Sequence, residues 1–197
     1  SFSNVIKIFP GDDSVFEKME KLRQTIAGFE DNIILELGCG KGEYTIGLAE
    51  RHPDRYIIGI DVKSDRIWRG AKTAVEAGLF NVFFARIRIE SILDFFQENT
   101  VDEIWIPFPD PQKGESKGNE RKRLTSERFL DIYRKILKPG GSVHLKTDDD
   151  GLYHYSKDTI AASGASLILH TDDLYNCGHP DLPDSSTEIK TTYEKKY

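Results

Sequence analysis

A glycine-rich turn around residue 40 has the residue types and the spacing of a ligand site. Residues 36–42 read Glu-Leu-Gly-Cys-Gly-Lys-Gly, after an apolar run and before a helical pattern. Glycines at such a turn let a ligand approach the backbone closely. A dinucleotide fingerprint would need glycine at position 43, where this chain has Glu43. The carboxylate of Glu36, together with Gly38 and Gly40, therefore predicts a site for a cationic ligand and not for a pyrophosphate.

A second carboxylate, Asp61, ends the next apolar run. In open α/β sheets a carboxylate at this place accepts hydrogen bonds from the hydroxyls of a ribose. S-adenosyl-L-methionine combines an ammonium, a sulfonium and a ribose, so Glu36 and Asp61 together predict it as the cofactor. Two structural alternatives stay open: the glycines could form a strand–turn–helix joint without a ligand, and Asp61 could cap a helix.

A proline–aspartate loop and the polar stretch after it form a second candidate site. Residues 107–111 read Pro-Phe-Pro-Asp-Pro, and the three prolines fix the backbone so that Asp110 is held over the strand ends. The polar stretch runs to Leu124 and is long enough to be functional. In a chain with a formal net charge of −6, its cations predict phosphate contact, with a solvated charge run as the alternative. This basic patch comprises Lys113, Lys117, Arg121, Lys122, Arg123 and Arg128.

Apolar runs alternate with helical periodicity along most of the chain. Because strands that alternate with helices form parallel sheets covered on both faces, we expect one α/β domain over residues 1–197. Helical periodicity is clearest over 67–78 and 129–137. The last two predicted strands have no helix between them and predict an antiparallel edge. The predicted strands are 32–37, 56–61, 81–85, 101–106, 142–147, 165–171 and 187–193.

Composition excludes several classes of protein. Two cysteines are too few for a disulfide framework and fit a reducing cytosol, so we expect a cytoplasmic protein. No run of about 18 apolar residues predicts a membrane span, and the start does not resemble a signal peptide. The acidic balance argues against a protein that coats nucleic acid at any sequence. We expect no bound metal, and either a monomer or a homodimer.

Taken together, these segments resemble the bacterial tRNA (guanine-N7)-methyltransferase family. The resemblance covers most of the chain, and its most specific parts are the proline–aspartate loop and the terminal Thr-x-Tyr-Glu, in this order. It implies a Rossmann-like, doubly wound, seven-stranded methyltransferase sheet that is mostly parallel with an antiparallel edge. The segments that carry it are 36–42, 108–111, Arg121-Lys-Arg-Leu-Thr125, Leu137-Lys-Pro-Gly-Gly141, Thr147-Asp148 and Thr191-Thr-Tyr-Glu194.

The resemblance also implies roles for individual residues. Asp110 is expected to be catalytic, where cofactor and guanine meet. Arg88 and Gln112 depart from the family, which usually has Asp-Ala where this chain has Arg88-Ile89 and Trp where it has Gln112. The expected cofactor-binding residues are Glu36, Gly38, Gly40, Asp61, Arg88 and Asp110. The expected substrate-binding residues are Lys113, Asp148, Thr191, Thr192, Tyr193 and Glu194.

The implied reaction is methyl transfer from S-adenosyl-L-methionine to N7 of a guanine in tRNA. Guanine N7 is a lone-pair acceptor without a proton to lose, so the reaction needs positioning and no general base at that atom. Carboxylates near the ring would stabilise the positive charge that develops on it. Two alternatives stay open: a methyltransferase for a small metabolite, and a non-catalytic RNA-binding module with a degenerate cofactor pocket.

Overall fold

A parallel six-stranded sheet forms the centre of the fold. The computed structural model describes residues 5–7, 15–28, 32–114 and 116–196. In the described residues the strand order is β1-β4-β3-β2-β5-β6, and every pairing is parallel. The strands are β1 Val5–Lys7, β2 Ile33–Leu37, β3 Tyr56–Asp61, β4 Val82–Arg86, β5 Val101–Pro107 and β6 Leu137–Lys146. The five strands predicted between residues 32 and 147 are thus confirmed.

Helices cover both faces of this sheet. On one face, Tyr44 and Leu48 of α2 and Ile67 of α3 pack with Ile34 and Trp105 in one buried cluster. A second buried cluster lies on the other face and includes Ile26 of α1 and several side chains of α5. The helices are α1 Val15–Ala27, α2 Glu43–Arg51, α3 Ser64–Glu76, α4 Lys117–Glu120, α5 Glu127–Ile136, α6 Asp150–Ser163 and α7 Ser185–Glu188. Two 3₁₀ helices span Ile89–Asp94 and Glu194–Lys196.

The direction of winding changes at β2, and open parallel sheets form a crevice at the carboxyl ends of the strands at such a point. From β2 the chain adds β3 and β4 on one side, and then crosses to add β5 and β6 on the other. All five residues of β2 are buried, and four are apolar, as expected for a central parallel strand. The exception is Glu36, and burial of its carboxylate costs free energy unless a partner stabilises it.

The structure differs from the prediction after α6. The described residues 165–183 contain no strand, and residues 185–188 form the short helix α7, so neither a seventh strand nor an antiparallel edge is shown. An edge strand would bury alternate apolar side chains, but here Leu167 and Ile168 are 41% and 77% exposed. Among the described residues, no helix is long and apolar enough to cross a membrane.

Candidate functional site

Backbone hydrogen bonds hold the glycine turn against the end of β3. The amides of Gly38 and Cys39 both donate to the carbonyl of Ile60, at 2.8 and 3.0 Å. The turn closes at Gly42, whose φ of 75° favours glycine and whose added Cβ would lie 2.5 Å from the Phe84 ring. A side chain larger than hydrogen therefore has no room at Gly42, and packing explains the glycine at this position.

An open cleft of about 570 Å³ lies over this turn. We call it the site cleft. A Cβ added at Gly38 or Gly40 would have no atom within 4 Å, so a side chain there would project into open space. Both glycines line the site cleft, and a ligand can contact their backbone directly. Other parts of the wall come from the end of β2, the proline–aspartate loop after β5, the first turns of α2 and α3, the two residues before α6 and the terminal segment 191–193.

The carboxylate of Glu36 forms part of the cleft wall from a buried position. Glu36 is 2% exposed, and its Oε2 accepts a hydrogen bond from the hydroxyl of Thr45. Burial raises the pKa of Glu36 from 4.5 to about 8, because desolvation penalises the charged form. A cation at this carboxylate would favour ionisation and lower that pKa. Binding of an ammonium group by Glu36 stays a prediction.

Asp61 organises the backbone on both sides of it. Its Oδ2 accepts from the amide of Gly40 at 2.9 Å, and its Oδ1 accepts from the amide of Lys63 at 2.8 Å. The carboxylate thus connects the glycine turn to the residue before α3. Its side chain is not the N-cap of α3, since that position belongs to Lys63. Binding of a ribose by Asp61 stays a prediction.

The proline–aspartate loop leaves β5 with strained backbone geometry and presents Asp110. Phe108 has a φ of 50°, a left-handed value that costs free energy for a side chain of this size. Its amide donates to the carbonyl of Lys146 at 2.8 Å, which fixes the loop to β6. The exposed Asp110 lines the site cleft, and its Oδ1 accepts from the amide of Gln112 at 2.9 Å. One carboxylate oxygen is therefore occupied by the loop itself.

The terminal segment 191–193 closes the other side of the site cleft through side-chain contacts. The hydroxyl of Tyr193 donates to Oδ2 of Asp148 at 2.5 Å, and its ring lies 5.2 Å from that of Phe108. The amide of Thr192 donates to Glu43 at 2.7 Å, and its hydroxyl donates to the same carboxylate. Residues that follow β5 and β6 thus meet the start of α2 and the terminal segment around one space.

Glu194 is occupied by partners on its own chain. Its Oε1 accepts from Lys146 at 2.6 Å and from the hydroxyl of Tyr175 at 2.8 Å, and both Lys146 and Glu194 are more than nine-tenths buried at the side chain. Its Oε2 accepts from the amide of Thr191 at 2.9 Å, and its amide donates to the Thr191 hydroxyl at 3.2 Å. This reciprocal pair is a capping box at the start of the 3₁₀ helix.

The predicted site residues fall into two groups in the structure. Within the described part of the chain, Asp61, Arg88 and Glu194 lie outside the cleft lining. Arg88 is exposed and precedes the 3₁₀ helix Ile89–Asp94. The predicted site residues that do line the cleft are Glu36, Gly38, Gly40, Asp110, Lys113, Asp148, Thr191, Thr192 and Tyr193. Sequence reasoning did not assign to the site several further lining residues, among them Lys41, Glu43, Tyr44, Arg66 and Asp149, or Lys146, which supports the terminal segment.

Part of the basic patch is structural and part faces solvent. Arg123 donates to the carbonyl of Pro111 at 3.1 Å and lies 4.3 Å from the ring centroid of Tyr155, so it supports the loop. Lys113 is 81% exposed and forms an ion pair with Asp149 at 3.5 Å. No cluster of three or more His, Cys, Asp or Glu side chains suited to a metal occurs among the described residues.

Comparison with known proteins agrees with this architecture. A family model described as "Putative methyltransferase" matches residues 30–197. Two solved structures share the fold: an antibiotic-related methyltransferase, with a TM-score of 0.53, 22% identity and 74% of each chain covered, and a SAM-dependent methyltransferase from Aquifex aeolicus, with a TM-score of 0.52 and 20% identity over 78% of this chain and 83% of the other. The fold is therefore that of methyltransferases.

Curated relatives narrow the class. The chain is 43% identical to the tRNA (guanine-N(7)-)-methyltransferase of Christiangramia forsetii, over 100% of this chain and 87% of the relative. It is 44% identical to the protein of the same name from Bacteroides thetaiotaomicron, over 94% of this chain and 71% of the relative. The chain belongs to the tRNA (guanine-N(7)-)-methyltransferase family.

Proposed function

We propose that this chain transfers a methyl group from S-adenosyl-L-methionine to N7 of a guanine in tRNA. The observation that carries the proposal is the meeting, in one site cleft, of the glycine turn with its buried Glu36 and of the proline–aspartate loop with Asp110. The names of its relatives support the same reaction. We further propose that residues 1–197 act as one domain, in the cytoplasm, as a monomer or a homodimer.

The residues at the glycine turn fit the cofactor chemically. Gly38 and Gly40 leave open space in which a ligand can contact the backbone, and Glu36 offers a buried carboxylate to an ammonium group. Asp61 would accept from ribose hydroxyls after exchanging its bond with Gly40. S-adenosyl-L-methionine supplies, when bound, a methyl group on a sulfonium that a lone pair can attack. Arg88 is proposed to contact the adenosine side from its exposed position.

At the other end of the site cleft, the chain's own residues would receive the guanine. Asp110 and Asp148 line this end, and their carboxylates can accept from the N1–H and amino group of the base and stabilise the charge it gains. Thr191, Thr192 and Tyr193 would contact the flipped nucleotide. Glu194 would act on the substrate by holding this segment in place, since its carboxylate is engaged with Lys146, Tyr175 and Thr191. Lys113 would contact a phosphate.

The decisive experiment uses an unmodified tRNA transcript and cofactor with a labelled methyl group. Nucleoside mass spectrometry should detect 7-methylguanosine. The matched control is the same transcript made with 7-deazaguanosine, which lacks the N7 lone pair and should receive no label. Transfer to both RNAs would show methylation at another atom. Transfer only to small metabolites would favour a methyltransferase for a small metabolite. Cofactor binding without transfer to any substrate would favour the non-catalytic module.

A further inference from the structure

A second cleft opens beside the site cleft, on the first two turns of α3. It has a volume of about 400 Å³, and Lys41 and Arg66 line both clefts, so the two are adjacent. Its lining consists of three cations, one carboxylate and one indole, namely Lys41, Asp65, Arg66, Trp68 and Arg69. We call it the α3 cleft.

Close packing fixes the α3 cleft relative to the glycine turn. A Cβ added at Gly70 of α3 would lie 2.8 Å from the carbonyl oxygen of Lys41, and one added at Gly42 would lie 3.4 Å from the Cα of Gly70. The helix and the turn therefore touch through their backbones. Side chains on rigid elements in direct contact with a site hold a bound group at a defined distance from it.

The charge of the α3 cleft calls for an anionic partner. Over residues 5–7, 15–28, 32–114 and 116–196, the side chains of Lys41, Arg66 and Arg69 form no ion pair. All three residues are exposed. Three cations beside a single carboxylate stand out in a chain with a net charge of −6. Such local charge concentrates anions near the site cleft.

The indole of Trp68 selects among anionic partners. It is 47% exposed, and the ammonium of Lys72 lies 5.7 Å from its ring centroid. Surfaces that bind single-stranded nucleic acid combine cations for the phosphates with aromatic rings on which bases stack. A simple anion would gain nothing from an indole, and an apolar partner would gain nothing from three cations. The combination fits an RNA strand.

We propose that the α3 cleft binds the RNA strand next to the target guanine, with Arg66 and Arg69 on phosphates and Trp68 against a base. This assignment rests on the proposed function and adds a contact surface to it. The site cleft would then lie between two cationic flanks, the α3 cleft and the basic patch. An RNA held on both sides presents the nucleotide between them, which is the one that must leave its stack.

The charge is tested with Arg69→Glu, because Arg69 lines the α3 cleft and not the site cleft. Its matched control is Lys135→Glu, near the end of α5 at the opposite edge of the sheet. Binding of an unmodified tRNA transcript should weaken about tenfold in Arg69→Glu. The slope of log affinity against log salt concentration should become shallower by about 0.7–0.9 for each phosphate that is no longer neutralised. Lys135→Glu should bind as wild type does.

The indole is tested separately. Trp68→Ala should weaken tRNA binding about fivefold or more, and Trp68→Phe should restore most of the affinity because a phenyl ring also stacks. Phe80→Ala is the control, since Phe80 is 92% exposed elsewhere on the surface. Equally weak binding by Trp68→Ala and Trp68→Phe would contradict stacking, and equally weak binding by Arg69→Glu and Lys135→Glu would contradict a local interaction.

Calorimetry with S-adenosylhomocysteine separates this surface from the cofactor site. Cofactor affinity should stay within about twofold of wild type in the Arg69 and Trp68 variants. A parallel fall in cofactor affinity would assign the cleft to the cofactor and overturn the proposal. The binding measurements need no turnover. A wild-type chain that binds tRNA and forms no 7-methylguanosine would therefore count against the proposed function alone.

Discussion

The two ends of the site cleft are held in place by different means. At the glycine turn, backbone amides donate to the carbonyl of Ile60 and to Asp61, close to the ends of adjacent strands. At the other end, side chains far apart in sequence make the contacts, as between Lys146 and Glu194 or between Asp148 and Tyr193. The first end follows from the sheet itself, whereas the second depends on charges and hydroxyls from distant parts of the chain.

This difference suits the two ligands that we propose. A small cofactor needs a preorganised site, and a rigid turn supplies one that loses little conformational entropy of its own on binding. The target base of an RNA substrate has to leave its stack to reach the pocket, and a segment held by a few side-chain contacts can adjust to it. Substitutions at the glycine turn should therefore change the affinity for the cofactor. Substitutions around the terminal segment should instead change the KM for tRNA.

The largest effect is expected at Glu36. The folded pKa of about 8 exceeds the ordinary 4.5, so stability that is fully present below about pH 4.5 is lost as the pH rises toward 8. Glu36→Gln removes this pH dependence, and at pH 8 the variant without ligand should be several kcal/mol more stable than wild type. Chemical denaturation at pH 4.5 and pH 8 measures the difference.

The same variant should bind S-adenosylhomocysteine about a hundredfold more weakly, because it can no longer form a charge-assisted hydrogen bond. In wild type at pH 7, binding should release close to one proton from Glu36, which calorimetry in buffers of different ionisation enthalpy detects. Glu50→Gln, at an exposed position on α2, is the matched control. Proton uptake on binding, or an unchanged affinity in Glu36→Gln, would remove Glu36 from the cofactor site.

The next effect concerns the ion pair between Lys146 and Glu194. Burial lowers the pKa of Lys146, and the hydrogen bonds of Glu194 hold the pKa of that carboxyl below its usual value despite its own burial. Glu194→Gln leaves a buried ammonium without its anion, which should cost about 3 kcal/mol. Lys146→Met in the same chain should recover part of this stability. Denaturation and amide exchange over residues 191–196 measure both.

This variant also separates the two ends of the site cleft. Glu194→Gln should raise the KM for tRNA and leave the affinity for S-adenosylhomocysteine nearly unchanged. The control is Glu188→Gln, which removes an exposed ion pair with Arg51 and should change stability by less than about 1 kcal/mol. If Glu194→Gln lowered cofactor and tRNA affinity equally, the two ends would not be independent.

A third effect distinguishes two glycines of the same turn. Gly42→Ala should lower the free energy of unfolding by about 2–3 kcal/mol, since its Cβ would overlap the Phe84 ring at a left-handed φ. Gly40→Ala meets no atom and should cost only about 1 kcal/mol through its backbone conformation. Its methyl group should instead obstruct the ligand. Urea titration and cofactor calorimetry on both variants separate packing from binding.

The end of the site cleft at the glycine turn can be predicted from the sequence, because the residues that form it lie close together in the chain. The apolar run before Glu36, the spacing of the glycines and the carboxylate at Asp61 lie within one strand–turn–helix–strand unit, and each structural expectation follows from that unit. The proline–aspartate loop is similarly placed by its own prolines. The parallel order of strands between residues 32 and 147 follows from alternating periodicity.

The end of the site cleft that the terminal segment 191–193 closes cannot be predicted in the same way. Residues 187–193 alternate apolar and polar types, which predicts a strand, but the structure holds Thr191 and Glu194 in a capping box. The Thr-x-x-Glu spacing is the signal that indicates this box, and it competes with the alternation before it. The contact of Glu194 with Lys146 spans nearly fifty residues, and only the folded sheet brings them together. Long-range side-chain pairs of this kind leave no local pattern.

The smallest of these effects, and the one closest to the chemistry, is expected at Asp110. Asp110 is exposed at the cleft and makes one hydrogen bond to its own loop, so Asp110→Asn should leave folding intact. It removes a charge that would stabilise the positive charge developing on guanine, and kcat/KM should fall at least about tenfold, or about 1.4 kcal/mol. Cofactor affinity should fall less, since Glu36 and Asp61 remain. Single-turnover transfer to unmodified tRNA, with melting temperature on the same samples, gives both values, and a folded variant with the wild-type rate would exclude Asp110 from the mechanism.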